Sequence, residues 1–261
     1  HSFSRRQRQM CIRDSCSTLG YKGKVFMPTT TPNQKIEQVK KFGKTNVEVV
    51  LFGENFTQAY EKALQECDKY DKTFIHPFDD KKVIAGQATL FLEIINQFKN
   101  HLDYLFIPIG GGGLISGAIN VFKQLSPKTK IIGIEPKGAP SMYKSINKNK
   151  LITLNRIDGF VDGVAVKKVG NYSFDYCKEH LDDLIILDEN EICNSILELK
   201  SYENIIAEPA GAMSSAALRH YRHKIINKNI GCIICGANND NSRMPEIIKR
   251  ADIWKSNNLK N

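Results

Sequence analysis

The sequence predicts an α/β protein in which helices cover both faces of parallel twisted sheets. Short apolar runs alternate with amphipathic segments of helical spacing along most of the chain, which is typical of repeated strand–helix units. One apolar run, at 105–109, is followed directly by four glycines. The composition also changes around residues 79–86, which predicts a boundary between two α/β lobes.

The first fifteen residues differ in composition from the rest of the chain. They carry four arginines and show no apolar periodicity. No apolar stretch typical of a targeting signal follows them. We therefore expect residues 1–15 to be a non-native or disordered arm that takes no part in the fold.

Residues 16–80 are predicted to form a small α/β lobe. The expected strands and helices alternate, and one helix ends at Gly43, a suitable C-cap. The predicted strands are 24–28, 47–53 and 73–78, and the predicted helices are 33–43 and 56–70.

Residues 81–254 are predicted to form a large lobe, followed by a tail at 255–261. A long helix over 79–98 is entered at an Asp cap. The remaining predicted strands are 103–109, 130–136, 181–188 and 230–235. The remaining predicted helices are 114–125, 139–148, 171–180, 189–204, 208–221 and 243–255.

The formal charge of +9 does not indicate a nucleic-acid-binding protein. Outside the arginine-rich start, the lysines are scattered among Asn-rich turns and form no basic stripe with interleaved aromatic residues. The apolar runs are far shorter than the roughly 20 residues that a membrane-spanning helix needs. We expect neither a nucleic-acid partner nor a membrane role.

Seven cysteines at irregular spacing favour a reducing, cytoplasmic compartment over a disulfide framework. Cys232 and Cys235 have the spacing of half a zinc or redox site, but they lie in a predicted buried strand. Residues three apart in a strand point to opposite faces, and no second Cys or His pair completes a metal site. We interpret the pair as structural and leave any metal requirement undetermined.

The glycine run predicts an anion site. A strand, a tight turn and the start of a helix bring backbone N–H groups together at the positive end of a helix dipole, which suits a phosphate. No Gly-Lys-Ser/Thr follows, which excludes a P-loop. Close helix–strand packing without any ligand is the alternative explanation of the glycines.

The spacing of the glycine run approaches the pattern that binds a nicotinamide dinucleotide. Gly111, Gly113 and Ser116 approximate the G-x-G-x-x-G pattern. Glu135 follows near the offset of about 20 residues at which an acidic side chain binds the ribose. A nicotinamide-binding domain is therefore an alternative function.

Several motifs in a fixed order carry a family resemblance. PIGGGGLISG, GIEP, DGVAVKKVG, AEPAGA, CGANND and SRMPEI follow VFMPTTTPNQKIEQVKKFG and PFDDKKVIAGQATL. Together they resemble the threonine dehydratases (threonine ammonia-lyases), pyridoxal-phosphate enzymes of the tryptophan-synthase-β-like architecture called fold type II. The resemblance covers nearly all of the chain from residue 16 to about 254. It implies the two lobes of that architecture, with the first lobe incomplete.

The resemblance implies a cofactor site for pyridoxal 5′-phosphate. Residues that match the family's phosphate-binding loop are Gly110, Gly111, Gly112, Gly113 and Leu114.

Two further residues match positions near the cofactor in the family. Cys235 stands where the family usually has a serine whose hydroxyl meets the pyridine nitrogen, and a thiol is a weaker hydrogen-bonding group. A merely buried cysteine is the alternative. Glu208 lies near the cofactor in relatives, although capping of the helix that starts at Pro209 would also explain it. We do not expect Glu208 to be catalytic.

The resemblance also implies a catalytic lysine that the sequence does not contain. In the family this lysine lies upstream in a Ser-x-x-x-Lys motif, binds the cofactor covalently and moves protons at the substrate α-carbon. CSTLGYKGKVFMP matches the family immediately after an Asn-containing loop that follows this motif and borders the substrate and the cofactor ring, and neither Lys22 nor Lys24 matches the lysine motif. We therefore expect an N-terminally truncated copy without a catalytic residue of its own.

The activity implied by the resemblance is the removal of water and ammonia from threonine or serine. Threonine would yield 2-oxobutanoate, in isoleucine biosynthesis or threonine catabolism. The parent enzyme would be cytoplasmic and homo-oligomeric, and longer members carry a C-terminal regulatory domain. A serine racemase-like enzyme is the nearest alternative. The chain itself is expected to bind pyridoxal phosphate weakly and non-covalently, without turnover.

Overall fold

The computed structural model describes residues 8–31, 33–54, 56–98, 100–237 and 239–258. The chain divides into two compact units, and the division falls between Ile75 and His76. The lobe boundary predicted from composition, between residues 80 and 81, lies a few residues further along the chain.

The smaller unit, Arg6–Ile75, is built around two parallel strands. Its elements in chain order are α1 (Arg8–Leu19), β1 (Gly23–Met27), α2 (Asn33–Gly43), β2 (Val47–Leu51) and α3 (Phe56–Lys69). β1 and β2 pair with Val25 opposite Val49. The buried apolar side chains of this unit's core are Val25, Met27, Ile36, Val39 and Val47.

Helix α1 begins within residues 1–15, the segment for which the sequence predicts a non-native or disordered arm. Residues 8–15 are the first part of this helix. The segment contains neither Gly nor Pro, and its Arg, Gln and Met residues are good helix formers. Intrinsic propensity therefore produces a helix here without apolar periodicity. Residues 1–7 lie outside the described residues.

The strand predicted over 73–78 is wrong, because its second half forms a turn. Nδ1 of His76 accepts hydrogen bonds from the backbone N–H of Phe78 at 3.1 Å and of Asp79 at 2.7 Å. Pro77 has no N–H to donate. The amides that a sheet ladder would require are therefore used locally.

The larger unit, from His76 onward, contains a four-stranded parallel sheet of order β5-β4-β3-β6. Its first elements are α4 (Lys81–Gln97), β3 (Tyr104–Pro108), α5 (Gly113–Leu125), β4 (Lys130–Pro136) and α6 (Ser141–Asn147). The others are α7 (Asn171–His180), β5 (Asp183–Leu187), α8 (Glu189–Glu203), α9 (Pro209–Tyr221), β6 (Ile230–Cys232) and α10 (Met244–Asn258). Over the described ranges, no helix combines the length and apolar character needed to cross a membrane.

Both faces of this sheet are covered by helices, as the sequence predicted. β3 is buried along its whole length. Tyr104 and Phe106 pack into a core that includes α8, α9 and α10. Leu105 and Ile107 pack into a second core that includes α4, α5 and α7. The continuous apolar run of β3 is explained by this burial on both sides.

The expectation that Cys232 and Cys235 face opposite sides of a strand is wrong. β6 ends at Cys232, so strand alternation does not continue to Cys235. The Cys232 Sγ lies 3.6 Å from the carbonyl oxygen of Ser214, and the Cys235 Sγ lies 3.5 Å from that of Ala210. Both thiols therefore contact α9. Among the described residues, no group of three His, Cys, Asp or Glu side chains is arranged to hold a metal ion.

Gly117 allows α4 and α5 to lie unusually close together. A Cβ atom built on Gly117 would lie 2.8 Å from the Ala88 nitrogen and 2.9 Å from the Gln87 carbonyl carbon, both backbone atoms of α4. A Cβ built on Gly86, also in α4, would meet nothing within 4 Å. These two helical glycines form a matched pair for testing the packing.

We predict that Gly117→Ala lowers the free energy of unfolding by about 1–3 kcal/mol, because the methyl group overpacks a backbone contact. Gly86→Ala should instead raise it by up to about 1 kcal/mol, because alanine has the higher helix propensity. Urea denaturation followed by circular dichroism measures both changes. Equal effects of the two substitutions would contradict the close approach of α4 and α5.

Candidate phosphate-binding site

The glycine loop lies at the carboxyl end of β3 and leads directly into α5. The N–H of Ile109 donates to the Ile134 carbonyl oxygen at 2.8 Å, which holds the start of the loop at the sheet edge. Gly112 is the N-cap of α5 and has φ +90°, in the left-handed region that favours glycine. The first N–H groups of a helix have no acceptor within it. The loop therefore presents backbone donors at the positive end of α5.

Residues 110–112 leave no room for side chains, and the reason is visible in the neighbouring segments. A Cβ on Gly110 would lie 3.0 Å from the Val164 Cα. A Cβ on Gly112 would lie 2.5 Å from the Ser173 Cβ. Close packing against these segments accounts for glycine at these positions, and it also leaves the backbone as the loop's chemical surface.

Cys235 lies at the same edge of the sheet as the glycine loop. β3 and β6 pair in parallel with Phe106 opposite Cys232, and the Ile233 N–H donates to the Phe106 carbonyl oxygen at 3.1 Å. The chain leaves β6 at Cys232, as it leaves β3 just before Ile109. The carboxyl ends of neighbouring parallel strands are where ligands bind in open α/β sheets.

Glu208 is buried beside this edge, between Gly163 and Gly236. A Cβ on Gly163 would lie 3.2 Å from Oε1 of Glu208, and a Cβ on Gly236 would overlap the same carboxylate. The Glu208 N–H donates to the Gly236 carbonyl oxygen at 3.0 Å. Its side chain makes no capping hydrogen bond to α9, so capping does not explain this glutamate.

Two residues of the turn before α4 support the loop, although no role was assigned to them from the sequence. A Cβ on Gly111 would overlap the ring of Phe78. The Asp79 carboxylate accepts the N–H of Asn171 at 2.8 Å and that of Tyr172 at 3.0 Å, and thereby caps α7. The motif PFDD contains both residues, but the sequence alone could not show their role, because the residues that they contact lie far away in the chain.

Glu135 is not available to bind a ribose. Its carboxylate accepts the N–H groups of Met142 at 2.7 Å and Tyr143 at 2.8 Å, at the start of α6, and the side chain is buried. Burial raises its pKa to about 7, against the lowering effect of these hydrogen bonds. Glu135 therefore caps a helix. Its assignment as the ribose-binding residue of a nicotinamide dinucleotide site is corrected.

Lys22 and Lys24, the first two lysines of the chain, are engaged within the smaller unit. Lys22 Nζ donates to the Thr45 carbonyl oxygen at 2.9 Å. Lys24 Nζ lies 3.2 Å from a carboxylate oxygen of Glu48. Both side-chain amines therefore contact residues of the smaller unit.

The residues of the loop fit a phosphate-bearing cofactor. The donors are backbone N–H groups at a helix N-terminus, where the helix dipole favours negative charge. A hydroxyl group on Ser173, buried beside Gly112, has no hydrogen-bond partner.

Residues 15–236 match the family described as pyridoxal-phosphate dependent enzymes. The match covers most of the chain, and the chain belongs to this family. Pyridoxal phosphate is the cofactor on which the family depends, in agreement with the geometry of the loop.

The curated relatives that the chain matches include biosynthetic threonine dehydratases. The chain is 49% identical over 241 residues to L-threonine dehydratase biosynthetic IlvA of Halalkalibacterium halodurans, covering 92% of this chain and 58% of that protein. It is 46% identical to the protein of the same name from Bacillus subtilis, covering 92% of this chain and 57% of that protein. The chain thus spans somewhat more than half the length of these relatives.

Solved structures share the fold. The processed form of threonine deaminase isoform 2 from Solanum lycopersicum superposes with a TM-score of 0.88 at 39% identity, covering 94% of this chain and 67% of that one. Serine racemase from Dictyostelium discoideum superposes with a TM-score of 0.79 at 30% identity, covering 89% and 74%. The fold class expected from the resemblance is confirmed.

We predict that Glu135 makes stability fall as pH rises. In the folded protein this carboxyl holds its proton up to about pH 7, whereas in the unfolded chain it releases it near 4.5. The folded state therefore binds more protons between these values, and raising the pH through this window costs about 3 kcal/mol of unfolding free energy. Urea unfolding of the wild type and of Glu135→Gln at pH 5 and pH 8 measures this cost.

The glutamine variant serves as the control, because it retains a polar side chain but cannot titrate. Its stability should fall less than that of the wild type between the two pH values. Parallel pH dependences of the two proteins would show that Glu135 does not titrate in this window.

Proposed function

We propose that this chain is the cofactor-binding part of a threonine dehydratase that uses pyridoxal 5′-phosphate. The observation that carries the proposal is the glycine loop at the carboxyl end of β3, with its donors at the N-terminus of α5. The threonine dehydratases among its relatives support the choice of reaction.

In the proposed site, the N–H groups of residues 110–114 bind the cofactor phosphate. The same segment is packed on three sides by other parts of the larger unit, so its donors need little reorganisation when the anion arrives. When bound, pyridoxal phosphate supplies an electron sink for the α-carbon of an amino acid. The protein's contribution is to place and orient that sink.

Cys235 is proposed to face the pyridine nitrogen. Its position at the end of β6, beside the loop at the end of β3, supports this role. The thiol already lies 3.5 Å from the Ala210 carbonyl oxygen, so it is held towards α9. A thiol is a weak donor and a weak acceptor, and we expect it to leave the ring nitrogen largely neutral.

The proton transfers at the substrate α-carbon require a base that these residues do not provide. The Ser-x-x-x-Lys motif does not occur upstream of the matched region within residues 1–261. We therefore propose that the 261-residue chain binds the cofactor without a covalent bond and does not catalyse the reaction.

Threonine is the proposed substrate of the parent enzyme, which would release 2-oxobutanoate and ammonia in isoleucine biosynthesis. Serine as substrate, and a serine racemase-like activity, remain the nearest alternatives, since a serine racemase shares the fold. A homo-oligomeric parent in the cytoplasm is part of the same proposal.

The proposed cofactor binding is tested by equilibrium dialysis with pyridoxal phosphate and with pyridoxal. The phosphate ester should bind at least ten-fold more tightly, because its phosphate occupies the loop. Threonine should yield no 2-oxobutanoate. Gly112→Ala should abolish binding, because the residue has φ +90° and adjoins Ser173.

Gly159→Ala is the matched control for this experiment, since a Cβ at Gly159 would meet nothing within 4 Å. Equal affinities for pyridoxal and its phosphate would contradict the phosphate site. Formation of 2-oxobutanoate would contradict the proposed lack of catalysis. Binding of NADH, seen as a fluorescence change, would instead favour the dinucleotide alternative.

We predict that Cys235→Ser tightens the binding of pyridoxal phosphate about five-fold, because a hydroxyl makes a hydrogen bond about 1 kcal/mol better than a thiol does. Cys232→Ser is the control, since that thiol contacts the Ser214 carbonyl oxygen within the sheet–helix core. It should lower stability and leave the affinity unchanged. An unchanged affinity in Cys235→Ser would remove Cys235 from the site.

A further inference from the structure

Ser173, in the first turn of α7, is a buried polar residue to which the proposed function assigns no role. Its side chain has no exposed surface, and its Oγ has no hydrogen-bond partner. A buried hydroxyl without a partner destabilises the folded state, because its hydrogen bonds to water are lost and not replaced. Such groups are rare in folded proteins, and each needs an explanation.

The side chain of Ser173 lies against the glycine loop. Its Oγ lies 2.9 Å from the position that a Cβ on Gly112 would take. Gly112 is the N-cap of α5, and no side chain caps that helix. The unsatisfied hydroxyl therefore lies at the same helix N-terminus as the backbone donors of the loop.

The position of Ser173 is held by two contacts outside its own side chain. The Gly170 N–H donates to the Gly111 carbonyl oxygen at 3.0 Å, which joins the start of α7 to the loop. The Asp79 carboxylate caps α7 at Asn171 and Tyr172. The first turn of α7 is thus fixed relative to residues 110–112, and Ser173 with it.

We propose that the Ser173 hydroxyl is a further hydrogen-bond donor to the phosphate bound at the glycine loop. The assignment rests on the proposed function, in which a phosphate occupies the N-terminus of α5. It adds a side-chain donor from a separate helix to the backbone donors of the loop. Before an anion binds, the hydroxyl has no partner, and the phosphate provides one.

The proposed role predicts two effects of Ser173→Ala, one on the phosphate affinity and one on the melting temperature. Phosphate binding should weaken at least ten-fold, because a hydrogen bond to a charged group is lost. The melting temperature of the ligand-free protein should not fall, because the substitution removes an unsatisfied polar group. A purely structural serine would give the reverse pattern, with a lower melting temperature and unchanged affinity.

The experiment uses inorganic phosphate as the probe, titrated into the 261-residue chain and followed by 31P NMR, with melting temperatures from calorimetry. Ser214→Ala is the matched control, because Ser214 is equally buried and its hydroxyl donates to the Phe106 carbonyl oxygen at 3.0 Å. It should lower the melting temperature and leave the phosphate affinity unchanged.

The outcomes separate this inference from the proposed function. If Ser173→Ala binds phosphate as tightly as the wild type, the role of Ser173 is overturned and the glycine-loop site stands. If the wild type binds neither inorganic phosphate nor pyridoxal phosphate, the proposed function fails, and the role of Ser173 fails with it.

Discussion

The close approach of three distant chain segments to the backbone at 110–112 is the constraint on which the site depends. Val164 comes from the segment before α7, Phe78 from the turn before α4, and Ser173 from α7 itself. Because no Cβ fits between them and the loop, the end of β3 has no side chains to offer. Its chemistry is therefore that of oriented N–H groups, which suits an anion.

Four carboxyl groups of the larger unit cap helices, whereas that of Glu208, buried beside the site, does not. Asp80, Asp79, Glu135 and Asp188 accept backbone N–H groups at the starts of α4, α7, α6 and α8. No side chain caps α5, and its first turn contains no acidic residue. The absence of an acidic cap leaves the positive end of α5 unneutralised at the glycine loop, which supports the proposal that a phosphate binds there.

Patterns that depend on neighbouring residues allowed the best predictions. The helix over 79–98 and its Asp cap, the buried strand before the glycines and the covering of both sheet faces are all present. The failures arose where contacts distant in sequence decided the conformation. His76 holds a turn at 76–79 where a strand was predicted. β6 ends at Cys232, so Cys235 lies beyond the strand, and both thiols contact α9.

The sequence by itself determined the α/β class, the position of the glycine loop between a strand and a helix, and the family resemblance, because each depends on residue order. Only the tertiary structure decided why glycine is required at 110–112, that Glu135 caps a helix, and that Ser173 and Asp79 support the loop. These facts depend on packing between segments that are far apart in the chain. No local sequence pattern shows which distant side chain will pack beside a given glycine.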